Sequence, residues 1–174
     1  MSRFNGQLHD MILQNQMKKK VIFLFLFIVL VTGIIYLLAQ VENKQVTANS
    51  ILSGVEAVIY KSPSCGCCVG FNAEIQRIGV KTEMIATEDM QAVKDRYNIP
   101  RNMESCHTMV IGNYFIEGHI PFEVIEKLLT EKPDIDGIAL PNMPAGTPGM
   151  PGIKSGAYDI YQLKDGVSSI YMSI

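Results

Sequence analysis

Apolar and polar positions along the chain follow two different patterns. From Val21 to Ala39, nineteen consecutive residues carry no charge. As a helix such a run would measure roughly 29 Å, close to the hydrocarbon thickness of a bilayer. From Val55 onward the apolar residues recur with short periods instead. Val55–Tyr60 is β-branched and aromatic and stops at Ser62-Pro63, which predicts a strand. Phe71, Ile75 and Ile78 follow at helical spacing and end at Gly79. Val80–Ala86 alternates as a strand does, and residues 88–97 have helical character with acidic residues in the first turn, where they complement the helix dipole. Thr108–Ile111 and Tyr114–Glu117 flank Gly112-Asn113, a hairpin signal. Pro121 then opens a helix carrying Phe122, Ile125, Leu128 and Leu129 on one face.

The order β-α-β-α-β-β-α predicts an α/β, thioredoxin-like domain with the Cys-rich residues 64–68 where the first strand meets the first helix. Pro141–Gly152 holds four prolines and three glycines and reads as an irregular loop. Tyr158–Leu163 and Ser169–Ile174 flank Lys164-Asp165-Gly166, so a C-terminal β-hairpin is expected, with no pattern that says where it docks. The expected fold class is thus a thioredoxin-like domain after an N-terminal transmembrane helix, followed by a Pro/Gly-rich loop and a hairpin. The expected domains are a cytoplasmic basic tail over 1–20, an anchor or uncleaved signal over 21–39, a linker over 40–54 and an exported thioredoxin-like domain over 55–174.

Charge divides the chain at the same place. Residues 1–40 hold Arg3, Lys18, Lys19 and Lys20 against Asp10, a net of +3, and since the 174-residue chain totals −2 the remainder carries −5. An acidic domain without Trp or a basic patch excludes a nucleic-acid partner. The three lysines beside the apolar run mark a cytoplasmic flank, which implies a single-pass inner-membrane protein with its domain facing the periplasm. A secretory signal has a shorter apolar stretch and small residues before the cut, whereas Leu37-Leu38-Ala39 offers one only at its end. A retained anchor is the expectation, and cleavage would leave a soluble periplasmic domain.

The four cysteines, Cys65, Cys67, Cys68 and Cys106, all follow the apolar run. Three within four residues are not a stapling framework, so chemistry at the thiols is expected. Cys65 and Cys68 form a Cys-x-x-Cys pair at a helix N-terminus, where the dipole and free N–H groups stabilise thiolate, with Lys61 nearby in sequence. Two-cysteine exchange has no use for Cys67. A soft monovalent ion benefits from several converging sulfurs, which makes Cu(I) the natural candidate. Zinc, which prefers two separated pairs, is the weaker one. Cys106-His107-Thr108 precedes the hairpin where the thioredoxin arrangement holds a cis-proline, and no proline is adjacent here. A thiol and an imidazole in that place favour metal capture over disulfide exchange.

Five short segments carry a resemblance. Lys61-Ser62-Pro63-Ser64-Cys65-Gly66-Cys67-Cys68, Ser105-Cys106-His107-Thr108, Glu117-Gly118-His119-Ile120-Pro121, and Pro141-Asn142-Met143-Pro144 with Gly146-Thr147-Pro148-Gly149-Met150 occur in that order. Over about residues 56–163 the chain resembles the CopG-like metal-binding proteins of bacterial copper-resistance systems. The resemblance implies a thioredoxin-like fold, a periplasmic setting and copper bound by the four cysteines, and its motif brings in His119 beside His107 as a candidate ligand. Met143 and Met150 could add thioethers, although methionine is also a common core filler. His9 has no assignable role.

The expected function is therefore an envelope protein that holds Cu(I) in a thiolate cluster of Cys65, Cys67, Cys68 and Cys106, with His107 and His119 as further candidates, and contributes to copper resistance or homeostasis. Its expected partners are copper ions, the membrane through residues 21–39 and copper-handling proteins. The alternative is a periplasmic thiol-disulfide oxidoreductase with Cys65 as nucleophile and Cys68 as resolving thiol.

Overall fold

The computed structural model describes Lys18, Lys20, residues 23–37 and residues 51–174. The rest of the basic tail, His9 and residues 40–50 of the expected linker lie outside the described residues. The chain divides into two units, Met1–Gln45 and Val46–Ile174. In the first, residues 23–37 are helical and their large apolar side chains are mostly exposed. Among the described residues no helix is long and apolar enough to cross a membrane. The described helical stretch, residues 23–37, is shorter than the roughly 20 residues a span needs, and residues 21, 22, 38 and 39 of the expected span lie outside the described residues. The expected transmembrane helix is corrected by this finding, and so is the single-pass inner-membrane location built on it.

Among its described residues the second unit has three helices and seven strands. In chain order they are β1 (Glu56–Lys61), α1 (Gly66–Arg77), β2 (Lys81–Ala86), α2 (Met90–Arg96), β3 (His107–Ile111), β4 (Tyr114–Glu117), α3 (Phe122–Glu131), β5 (Gly137–Ala139), β6 (Asp159–Lys164) and β7 (Val167–Ser173), with a 3-10 turn at Arg101–Met103. One sheet holds all seven strands in the order β2-β1-β3-β4-β5-β6-β7. The pairs β1/β2 and β4/β5 are parallel and the others antiparallel.

The expected C-terminal hairpin, whose docking the sequence left open, continues the sheet through a strand outside the expected order, the three-residue β5. That strand pairs in parallel with β4 and antiparallel with β6. Gly-Ile-Ala is too short to show a period, which is why no strand was expected there.

Two apolar clusters show how the sheet is covered. Ile59, Met109, Ile111, Ile116, Ile138 and Ile160 from the strands meet Phe71 and Ile75 of α1 and Val124, Ile125 and Leu128 of α3. Phe115, Ala139 and Leu163 join Ile99 and Met103 in the other cluster. Neighbours such as Phe115/Ile116 and Ile138/Ala139 go to different clusters, as the period-2 geometry of a strand requires. Every residue of β4 is buried, so it reads as a continuous run and not an alternation.

Helix starts follow local chemistry. Asp89 caps α2 by accepting from the Ala92 N–H at 2.9 Å. Pro121 precedes α3, whose first turn carries Glu123. The N-cap of α1 is Cys65, whose sulfur accepts from the Cys68 N–H at 3.3 Å. A cysteine at a position usually held by an oxygen-bearing side chain already sets the first turn of α1 apart.

Candidate metal centre

Because α1 begins at Gly66, Cys65, Cys67 and Cys68 occupy its cap and first turn. Cys65 and Cys68 are joined as a disulfide, while Cys67 and Cys106 are free thiols. Cys106 arrives from the loop just before β3. Its sulfur lies 3.6 Å from Cys68 Sγ and 3.9 Å from Cys67 Sγ, and Cys67 Sγ lies 3.5 Å from Cys65 Sγ. All four sulfurs are within 4.8 Å of one another, as are the donor atoms of the overlapping set Cys68, Cys106, His107 and His119.

Folding therefore brings the six predicted donors to one place from three segments. His119, in the β4–α3 connection, sets Nε2 2.9 Å from Cys106 Sγ and Nδ1 2.6 Å from the Pro148 carbonyl oxygen. A carbonyl only accepts, so Nδ1 carries the proton and Nε2 presents its lone pair to the sulfur. A histidine held through its far nitrogen in this way is the usual outer-sphere arrangement of a metal ligand. His107 Nδ1 lies 3.5 Å from the same sulfur, and its Nε2 is buried without a hydrogen-bond partner. Both rings pack on Phe71, with centroids 4.6 and 5.6 Å away.

Burial sets the protonation states. It holds His107 well below its ordinary value, helped by His119 and Lys94, and lowers His119 against the opposing pull of the Pro148 carbonyl and Glu74. Both imidazoles are neutral near pH 7, the form that binds a cation. Burial, then the neighbouring Cys67, push the Cys106 thiol up to about 12. A metal ion would have to displace that proton. With the Cys65–Cys68 pair reduced, four sulfurs beside two neutral imidazoles make a donor set that fits a thiophilic ion.

Close backbone contact builds the side of the site opposite α1. Gly149 has φ +75°, and a Cβ there would fall 2.3 Å from Phe71 N and 2.7 Å from Cys67 O. The Pro/Gly-rich loop thus lies directly on α1 and delivers Pro148 to His119. Gly118 has φ +82°, and a Cβ there would meet Ser105 Oγ at 2.6 Å. Beneath the site Glu117 accepts from the Ser105 N–H and Thr108 Oγ1, 2.6 Å each, and pairs with Lys94. Burial raises Glu117, opposed by Lys94 and these donors.

With this geometry in view, comparison with known proteins decides the family. A family model described as a protein of unknown function, DUF411, matches residues 103–150. Two solved structures, copper resistance protein copG in its forms 1 and 2, are each 37% identical with a TM-score of 0.64. Each alignment covers 69% of this chain, and 97% and 98% of the two structures. The chain belongs to the CopG-like copper-resistance family. No curated protein sequence matches it.

Lys61, Met143 and Met150, which the sequence reading also named, have settings of their own in this CopG-like chain. Lys61 does not hydrogen-bond a sulfur; its ammonium donates to the Ser62 and Pro63 carbonyls, at 2.9 and 3.1 Å, and so shapes the loop leading to Cys65. Met143 is 48% exposed, while Met150 lines a cleft of about 450 Å³ beside Glu74 and Phe122. Sequence reasoning missed Glu117, Lys94 and the Pro148 carbonyl. A charged residue directly after Tyr-Phe-Ile in a buried strand was the one available signal for Glu117. A main-chain carbonyl leaves no signal at all.

Proposed function

We propose that this chain binds Cu(I) through Cys65, Cys67, Cys68 and Cys106, with His119 and His107 as adjoining nitrogen donors, and so contributes to copper resistance or homeostasis. The observation that supports this most is the convergence of sulfurs from segments 38 residues apart, all within 4.8 Å. Copper is the cargo of this site. An external dithiol, itself oxidised to a disulfide, would reduce the Cys65–Cys68 pair and free two of the four sulfurs, and a soft ion held by the thiolates would then link α1 to the entry of β3. Residues 55–174 form the binding domain in this reading, and copper passes to and from copper-handling partners. Zinc is the competitor, since Cys68, Cys106, His107 and His119 form a mixed sulfur and nitrogen set of the kind it accepts.

The test is copper analysis with ultraviolet thiolate-to-metal absorption during Cu(I) titration of the reduced full chain. A charge-transfer band that grows to saturation, with copper retained on desalting, is expected. No band and no retained copper would end the proposal.

The oxidised Cys65–Cys68 pair favours a second reading, thiol-disulfide exchange. Cys65 thiolate would attack a substrate disulfide, and Cys68 would displace the reduced product to leave the pair oxidised. An external dithiol would then restore both thiols. Reductase activity unaffected by Cys67→Ser, in a chain that binds no copper, would establish this reading instead.

A further inference from the structure

Cys106 lies in irregular chain between the 3-10 turn and β3, so no ladder of its own holds it. Its sulfur meets His119 Nε2 at 2.9 Å and Ser105 Oγ donates to the Asn142 carbonyl at 2.6 Å, and its neighbours have a further hold in common. Both sides of it are tied to one carboxylate, the Ser105 N–H to Glu117 Oε1 and Thr108 Oγ1 to Glu117 Oε2. Lys94, from α2, pairs with the same Oε1, and both charged residues are buried. Register supports the arrangement, because Thr108 faces Glu117 across β3 and β4.

A buried ion pair is weak evidence for stability, since apolar residues of similar volume are often as good or better in its place. What apolar residues cannot supply is direction. The two hydrogen bonds straddle Cys106, and Lys94 holds the same carboxylate from α2. We propose that Glu117, held by Lys94, is the positioning residue of the metal centre, fixing Cys106 against Cys67 and Cys68. Its consequence for copper rests on the reading of Cys106 as a ligand; its effect on the Cys106 loop does not.

The test uses the reduced, metal-free full chain with Glu117→Ala and, in case that variant fails to fold, the apolar pair Lys94→Met/Glu117→Leu. Iodoacetamide labelling of each cysteine is followed by peptide mass analysis. Cys106 labelling is expected to rise roughly tenfold as its loop opens locally, with Cys65 and Cys67 changing less than about twofold. Unchanged Cys106 labelling, or an equal rise at all three, overturns the proposal. Cu(I) affinity is then compared in parent and Cys106→Ala backgrounds. The Glu117 substitution is expected to weaken binding about tenfold in the parent and to add nothing once Cys106 is gone. An equal loss in both backgrounds means that Glu117 acts through the fold at large and overturns the proposal. If Cys106→Ala leaves copper binding intact, the copper reading of Cys106 fails while the labelling result still decides the clamp.

Discussion

The two sides of the metal centre are built in different ways. On the α1 side Cys65, Cys67 and Cys68 are placed by a single helical turn. On the other side Cys106, His107 and His119 are held by a carboxylate from β4, a carbonyl from the Pro/Gly-rich loop and close packing at Gly118 and Gly149. The first side is local and needs only a helix start. The second is assembled from distant segments, so it inherits the stability of everything that supports it.

Four experiments would break or sharpen this contrast. Phe71 lies under both sides, fully buried against His107, His119 and Phe122. Phe71→Ala should cost about 3–5 kcal/mol in denaturant unfolding, the most of any change considered. A loss below about 1 kcal/mol would mean that the two sides do not share this support.

Gly149→Ala should act on the distant side. With φ +75° and Phe71 N in the way, it should cost about 1–3 kcal/mol and displace Pro148 from His119, while Cys65 and Cys68 still form their disulfide. The His119 Nδ1–H resonance in NMR reports the lost hydrogen bond. An unshifted resonance would show that the loop does not need this contact.

Removing one sulfur from each side tests whether both bind. Cys106→Ala should weaken Cu(I) binding by about tenfold, or about 1.4 kcal/mol, and shrink the copper-induced rise in Tm. Cys67→Ser should lower copper stoichiometry or affinity yet leave the Cys65–Cys68 disulfide able to form. A full copper-induced rise in the Cys106 variant would confine binding to the α1 side.

The smallest effect concerns pH. Burial holds His107 well below 6.5, so under that pH the unfolded chain takes up a proton that the folded chain refuses. The stability of the metal-free protein should fall as pH drops through 6.5, by up to about 1.4 kcal/mol per pH unit from this group, and be unaffected by it above that range. Glu117, raised by burial, contributes with the opposite sign, so the comparison is parent against His107→Phe. Parallel pH profiles for the two would remove His107 as the cause.

What the sequence by itself determined is the local chemistry and the family. Cys65-Gly66-Cys67-Cys68 lies between a β-branched strand and a helical period, and this spacing places three thiols on one turn without reference to the rest of the chain. Strands such as Val80–Ala86 and the Gly112-Asn113 hairpin were legible because period and turn chemistry are also local. The apolar run Val21–Ala39 shows the limit of such reasoning, since hydrophobicity suggested a span that no described helix provides. Only the tertiary structure decided how the hairpin docks, that a carboxylate brackets Cys106, and that a loop carbonyl orients His119. The physical reason is that these contacts join residues far apart in sequence through directional bonds and backbone approach. Linear periodicity records which side of an element is buried, but not which distant atom it will meet.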